Sequence, residues 1–317
     1  MITLTQLEYI VAVDEYRHFA TAADKCFVTQ PTLSMQIKKL EEDLGVIIFD
    51  RSRQPVVPTD IGKKLIDQAR DVLAANQRIR EIINEEKEEV SGSLKIGIIP
   101  TLAPYLLPIF IGNYIRKYPA VKVEVEELVS EEIIYRLKRD TLDAGIFVTP
   151  YGDEKIIECP VFYEEMMIYA HPEHELLKKE IVEVKDIATP EIWMLGSGHC
   201  FRDQVINLCE MNAVQHKNLP FEFESNSLET LMKIVDQEGG FTLIPELAIR
   251  DMSEKKKRQV RSFSTRIPLR EVSVIYSRHY AKQKLIDLLC ENIKEVVPSI
   301  MLKKDRGEVV EWRKINS

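Results

Sequence analysis

Apolar positions recur three and four residues apart from the start of the chain. Leu7, Ile10, Val11 and Val13 make one stripe, which predicts a helix over residues 5–15. Phe19-Ala20-Thr21-Ala22-Ala23-Asp24-Lys25-Cys26 reads as a second helix with small residues on one face. Leu33, Ile37, Leu40 and Leu44 form a third stripe. Thr29 or Thr32 is placed to cap that helix, Pro31 suits its first turn, and Gly45 ends it. Ser34, Gln36 and Lys38 fall toward its other side. Two short helices, a tight turn and a polar helix face are what a helix-turn-helix requires, the second helix entering the major groove by its N-terminal residues. An ordinary helical core fits the same pattern.

Residues 59–89 predict one long helix. Leu65, Ala69, Val72, Asn76, Ile79 and Ile83 are spaced 4, 3, 4, 3 and 4 apart along it. That spacing is a heptad seam, with Asn76 at a core position where a buried amide fixes register. The opposite face is almost wholly charged, which favours a partner helix over packing on the helix's own domain. A short hinge over 88–93 follows. Strand and helix periods then alternate: strand 94–98, helix 106–117, strand 121–126, helix 131–139, strand 143–148. Such a βαβαβ order predicts a parallel sheet. Further strands are expected at 166–170, 191–195, 241–244 and 272–276, and a late helix at 285–296. Beyond about residue 300 the chain is charged and reads as a tail.

Composition narrows the class. The chain has 317 residues, 45% hydrophobic and 30% charged, enough for two or three globular domains. With no leader pattern and no apolar run near 18 residues, a soluble cytoplasmic protein is expected. The net charge of -8 gives no basic footprint, and residues 1–58 hold six Lys/Arg against eight Asp/Glu. A DNA-binding reading therefore rests on motif alone. Five cysteines, Cys26, Cys159, Cys200, Cys209 and Cys290, are scattered without a Cys-x-x-Cys pair. They fit neither a secreted disulfide framework nor a zinc site. Cys26, Cys159 and Cys290 read as buried packing residues, and His171-Pro172-Glu173-His174 as a surface turn. No metal and no cofactor is expected.

The most specific stretch is Leu195-Gly196-Ser197-Gly198-His199-Cys200-Phe201-Arg202-Asp203-Gln204-Val205-Ile206-Asn207-Leu208-Cys209. The glycines and Ser197 signal a turn or N-cap, and apolar residues follow at helical spacing. In a helix, nine residues rise about 13.5 Å and end on the opposite face. A disulfide needs Cα atoms within about 7 Å, so joining the two thiols requires the helix to melt. The geometry fits a redox switch; it also fits two separate cysteines packed as small apolar residues.

The run Gly198-His199-Cys200-Phe201-Arg202-Asp203-Gln204, with Cys209 nine residues after Cys200, resembles the redox-active segment of the OxyR peroxide sensors, a group of the LysR-type transcriptional regulators. The resemblance extends over nearly the whole chain. It includes Phe19 to Glu41, Leu44-Gly45-Val46, Phe49-Asp50-Arg51 and Gly239-Gly240-Phe241-Thr242-Leu243-Ile244-Pro245. It implies an α/β protein of defined order. A winged helix-turn-helix spans 1–58 and a dimerising linker helix 59–90. A periplasmic-binding-protein-like regulatory domain spans 91–300, with subdomain I at 91–162 and 268–300 and subdomain II at 163–267. A tail covers 301–317.

The resemblance also implies roles. Thr29, Gln30, Pro31, Thr32, Ser34, Gln36 and Lys38 would face DNA, with Arg51 and Arg53 in the wing. Cys200 would be the peroxide-reactive thiol and Cys209 the one that resolves it. Thr101, Ser130, His199, Arg202, Asp203 and Arg270 would line the peroxide pocket. Ser130 stands where better-known members of the group carry Thr, so it keeps the hydroxyl and loses the methyl. Thr101 and Ser130 could instead be helix caps, since each precedes a helical run. A thiolate is the attacking form, and a helix N-terminus with His199 and Arg202 alongside is expected to lower the Cys200 pKa. The implied partners are double-stranded DNA, hydrogen peroxide, other copies of the chain (a dimer through the linker helix, a tetramer overall), RNA polymerase, and glutaredoxin or thioredoxin for resetting. The rival readings are a LysR-type regulator of a small metabolite and a thiol peroxidase; the helix-turn-helix and dimer helix argue against an enzyme.

Overall fold

A computed structural model of the chain describes residues 2–85, 90–180, 182–189, 191–209, 223–263, 267–277 and 282–312. The chain divides into two compact units, Met1–Glu89 with His279–Lys282, and Val90–Arg278 with Gln283–Ser317.

The first unit begins with α1 (Leu4–Tyr16), whose start is fixed by a reciprocal capping box between Thr3 and Gln6. After it come α2 (Phe19–Lys25) and α3 (Gln30–Leu44). Thr29 is the residue that caps α3, its hydroxyl accepting from Thr32 N–H, and Gly45 closes the helix at φ +67°, a conformation costly for any residue with a Cβ. Ile10, Val13, Ala22, Ala23, Leu33, Ile37 and Leu40 meet in one core. Burying a Leu or Ile side chain there contributes roughly 1.5–3 kcal/mol. A two-strand wing, β1 (Phe49–Asp50) and β2 (Val57–Pro58), pairs antiparallel.

The long helix α4 (Asp60–Glu85) begins on this same core. Ile66 and Ala69 are buried in it, and Leu65 packs against it. Arg70 is buried too, its charge answered by Asp14 at 2.7 Å. Beyond that turn the apolar residues leave the core: Val72 is 40% and Ile79 61% exposed, with Asn76 half-buried. The heptad seam therefore has two parts, an N-terminal one spent on its own domain and a second one open. The side chain of Ile83 and residues 86–89 lie outside the described residues.

The second unit opens with β3 (Gly92–Ile98), so Gly92 and Ser93 belong to the strand rather than to a hinge. Next come α5 (Ala103–Lys117), β4 (Val121–Glu127), α6 (Ser130–Leu137) and β5 (Ala144–Thr149). β3 lies parallel between β4 and β5, as the βαβαβ order requires. A 15-residue strand, β6 (Ile156–Ala170), then carries the chain onward, with a bulge between Pro160 and Phe162. The remaining elements are α7 (Cys200–Leu208), α8 (Leu228–Glu238), β7 (Phe241–Pro245), α9 (Glu254–Lys257), β8 (Val260–Arg261), β9 (Pro268–Ser277), α10 (Gln283–Val296) and β10 (Glu308–Val309). The sheet order is β4-β3-β5-β9-β6-β7, with β8 on β6 and β10 on β9. β6 and β9 run antiparallel and join the β3–β5 layer to the β7 layer.

Two further expectations change. Residues 191–195 form no strand; Ile192 and Leu195 make single bridges, to Phe241 and Ser225. The Thr242 hydroxyl donates to the Trp193 carbonyl at 2.8 Å, taking an acceptor that a ladder would use. The charged C-terminal stretch is not a loose tail through residue 312. β10 adds in parallel to β9, and Gly307 allows it, since a Cβ there would stand 2.3 Å from the Ile267 carbonyl oxygen. Arg306 reaches Glu165 and Glu246 at 2.6 and 2.7 Å, and Trp312 stacks on Tyr151 with centroids 5.7 Å apart. Residues 313–317 lie outside the described residues.

Candidate functional site

The site is built around the first residue of α7. Gly198, at φ +88°, turns the chain, and His199 occupies the N-cap without a side-chain cap bond. The expected Gly-Ser cap is thus a turn only. Cys200 is 3% exposed and Cys209, the C-cap of the same helix, 8%. Both thiols are free. The helix between them is intact, so the two are held at its opposite ends.

Two other elements bring groups to Cys200. Arg270, fully buried on β9, donates through Nη2 to Thr101 Oγ1 at 2.8 Å and through Nη1 to Glu164 Oε1 at 3.0 Å. Its guanidinium lies 4.7 Å from the Phe201 ring centroid, a cation–π contact. Ser130, the first residue of α6, brings its hydroxyl beside the Cys200 thiol. Neither Thr101 nor Ser130 caps a helix, because α5 and α6 begin without a side-chain cap bond. Ser130 Oγ and Arg270 Nε are buried and, among the described residues, make no well-formed hydrogen bond. Buried polar atoms are nearly always paired, so unpaired donors beside a thiol are what a small polar guest would use.

Burial pushes the Cys200 thiol above its ordinary pKa, while the Arg270 guanidinium and the Ser130 hydroxyl pull it down. This overturns the expectation of a net lowering by His199 and Arg202. Those two side chains are committed elsewhere: His199 Nε2 lies 3.0 Å from Asn226 Oδ1, and Arg202 Nη1 donates to the Leu195 carbonyl at 2.9 Å. Asp203 is half-buried, and its carboxyl is raised by burial against the pull of Arg202. Glu164 is also raised by burial, to about 7, with Arg270 opposing. Cys209 is raised to about 12 by burial alone. Among the described residues, no group of three His, Cys, Asp or Glu side chains is disposed to hold a metal.

Sequence reasoning missed three participants. Glu164 was legible in principle: in β6 it shares a face with Phe162, Met166 and Ile168, where a carboxylate needs a cation. Asn226 and the C-terminal strand gave no signal. Gln204, fully buried in α7, donates to the Val310 carbonyl at 2.6 Å, and Asn207 to that of Glu311 at 2.7 Å. The chain end thus fastens the helix that separates the two thiols.

In the first unit, Thr29, Gln30 and Pro31 are exposed at the start of α3, and Thr32 is half-exposed behind them. Lys38 is exposed; Ser34 and Gln36 are half-buried, Gln36 accepting from Gln6 at 3.5 Å. Arg51 is drawn back to α3, donating to Ser34 Oγ at 3.2 Å and to Glu41 at 2.9 Å. Arg53 stands out in the wing, 3.3 Å from Asp50. Met35 and Phe27, 62% and 96% exposed, share this neighbourhood without having been anticipated.

Two family descriptions match the chain: "LysR substrate binding domain" over residues 87–298 and "Bacterial regulatory helix-turn-helix protein, lysR family" over residues 4–63. The chain is 32% identical over 300 residues, 95% of its length and 99% of the relative's, to a Haemophilus influenzae protein named "Hydrogen peroxide-inducible genes activator". It is 39% identical over 249 residues, 78% of this chain and 80% of the other, to the Escherichia coli "DNA-binding transcriptional dual regulator OxyR". A solved structure of a full-length OxyR variant from Pseudomonas aeruginosa superposes with a TM-score of 0.78 at 33% identity, covering 94% of this chain and 99% of that one. With both family descriptions matched and the Haemophilus influenzae relative aligned over 99% of its length, this chain belongs to the LysR family of bacterial helix-turn-helix regulators.

Proposed function

We propose that this chain is a DNA-binding transcription regulator that senses hydrogen peroxide through a reversible Cys200–Cys209 switch. The observation that carries the reading is the Cys200 pocket: a buried thiol beside the Arg270 guanidinium and the Ser130 hydroxyl, with Thr101 held by the same guanidinium and a second thiol at the far end of the same helix. The names of the relatives support the choice of peroxide.

The chemistry balances within the pocket. Cys200 sulfur attacks one peroxide oxygen, the O–O bond breaks, and the departing oxygen leaves as water with the thiol proton. Arg270, Thr101 and Ser130 supply the donors that stabilise charge on that oxygen, the largest kind of contribution an enclosed polar site makes. The sulfenic acid on Cys200 is then attacked by Cys209 sulfur, releasing a second water and forming the disulfide. About 13.5 Å of helix rise cannot be bridged, so α7 must unravel first. Loss of that helix also removes the anchors of the C-terminal strand at Val310 and Glu311.

Peroxide is consumed once per switch, so the protein works as a sensor in the cytoplasm rather than as an enzyme, and glutaredoxin or thioredoxin resets it. Copies pair through the open part of the α4 seam and assemble as tetramers; the start of α3 and the wing meet double-stranded DNA, where RNA polymerase reads the outcome. Footprinting on genomic DNA with and without peroxide tests the reading. A protected site whose extent changes on oxidation, and reverts with dithiol, is expected; an identical footprint in both states contradicts it.

A further inference from the structure

Two cysteines outside the α7 pocket also meet. Cys159 lies on β6, in register with Val274 of β9, and Cys290 lies on α10, which packs against β6. The Cys290 and Cys159 thiols are neighbours across this packing. The Tyr276 ring neighbours both thiols, its hydroxyl accepting from Gln283 at 3.0 Å. Lys294, one turn after Cys290, brings an ammonium to the pair, and Asp287 brings a carboxylate from the preceding turn. Cys290 is buried; Cys159 is partly open to solvent.

We propose that Cys159 and Cys290 are a second redox-active dithiol, a site of reversible disulfide formation separate from Cys200 and Cys209. Its geometry differs from the α7 pair in one decisive respect. The α7 thiols sit at opposite ends of a helix, whereas these two already face each other between a strand and a helix, so closing the bond leaves both elements intact. Cys159 is the thiol that meets the oxidant. It is the more exposed of the two, and the neighbouring Cys290 thiol and Lys294 ammonium both favour its anion, the nucleophilic form. With a peroxide as oxidant, Cys159 sulfur takes one oxygen and the other leaves as water; Cys290 sulfur then displaces the second oxygen as water, two thiols being oxidised and one peroxide reduced. A dithiol reductant reverses it by exchange. The bond would staple α10 to β6, the strand that carries Glu164 to Arg270 five residues further on.

The inference stands apart from the α7 switch, and its test uses an oxidant that needs no peroxide pocket. The full-length protein is treated with diamide, remaining thiols are blocked with N-ethylmaleimide under denaturing conditions, and non-reduced peptides are mapped by mass spectrometry. The expected result is a Cys159–Cys290 linked peptide with loss of maleimide labelling at both residues, reversed by dithiothreitol. In a Cys290→Ser variant the linked peptide should vanish, and peroxide with dimedone should then label Cys159. Continued labelling of both cysteines in the wild type overturns the inference, whether or not Cys200 and Cys209 have linked. A Cys159–Cys290 link with Cys200 and Cys209 still reduced after peroxide would uphold it and contradict the proposed switch.

Discussion

At the N-terminal end of α7, Cys200 shares its burial with the Arg270 guanidinium and the Ser130 hydroxyl; at the C-terminal end, Cys209 has burial alone acting on it. One helix thus holds two chemically identical groups in opposite surroundings. The first end has donors placed where charge would develop. Among the described residues the second has no group that stabilises a thiolate, so its thiol stays protonated at neutral pH while the helix is folded. In the proposed switch the order of reaction is set by environment: oxidation would begin at Cys200, and Cys209 would become useful only once α7 opens. The comparison also separates reactivity from access, because the helix that keeps the thiols apart is secured from outside by the Val310 and Glu311 carbonyls, which accept from its Gln204 and Asn207.

The largest effect should come from removing one end or the other. Cys200→Ser should abolish the change in DNA footprint on peroxide treatment. Cys209→Ser should leave a sulfenic acid on Cys200, trapped by dimedone and seen by mass spectrometry. Equal dimedone labelling of both cysteines in the wild type would erase the asymmetry. Next in size is the guanidinium: Arg270→Ala should slow peroxide oxidation of Cys200 by about 100-fold, the range for losing a donor from such a site, with Arg270→Lys recovering part of it. Stopped-flow oxidation followed by thiol trapping gives the rate.

Labelling against pH sharpens the contrast further. A thiol raised to about 12 is almost wholly protonated at neutral pH, and its thiolate fraction grows tenfold per unit below its pKa. Cys209 in the folded protein should therefore alkylate about 100-fold faster at pH 9 than at pH 7, with no plateau between. In the unfolded chain the rate should level off near ~8.5. A plateau in the folded protein would mean that Cys209 has a stabilising neighbour. The smallest effect concerns the fastening. Gln204→Ala or Asn207→Ala each removes one hydrogen bond, about 0.5–1.5 kcal/mol, and should raise amide exchange across α7 by up to about tenfold.

How legible these features were depends on the range of the interactions behind them. α3 could be read because its determinants are local: Thr29, Pro31, the stripe from Leu33 to Leu44, and Gly45. The reactive helix was legible for the same reason, and its motif supplied the family. Arg270 owes its place to Thr101 and Glu164, 169 and 106 residues away, so spacing around Cys200 pointed instead to the adjacent His199 and Arg202. The α4 seam was legible as a period but not as two surfaces, because the division depends on where the first unit's core ends, after Ala69 and Arg70. The C-terminal stretch hid its role most completely. Its charges look solvated in sequence, and only the addition of β10 to β9 brings Arg306 to Glu165 and Glu246.

The central claim is that oxidation joins the two ends of α7 and undoes the helix between them. Peroxide-treated and reduced protein should be compared by hydrogen–deuterium exchange, with disulfides mapped on the same samples. The account predicts a Cys200–Cys209 linked peptide together with accelerated exchange from Phe201 to Leu208, and with it faster exchange at Val310 and Glu311. A Cys200–Cys209 disulfide with α7 still protected would contradict it.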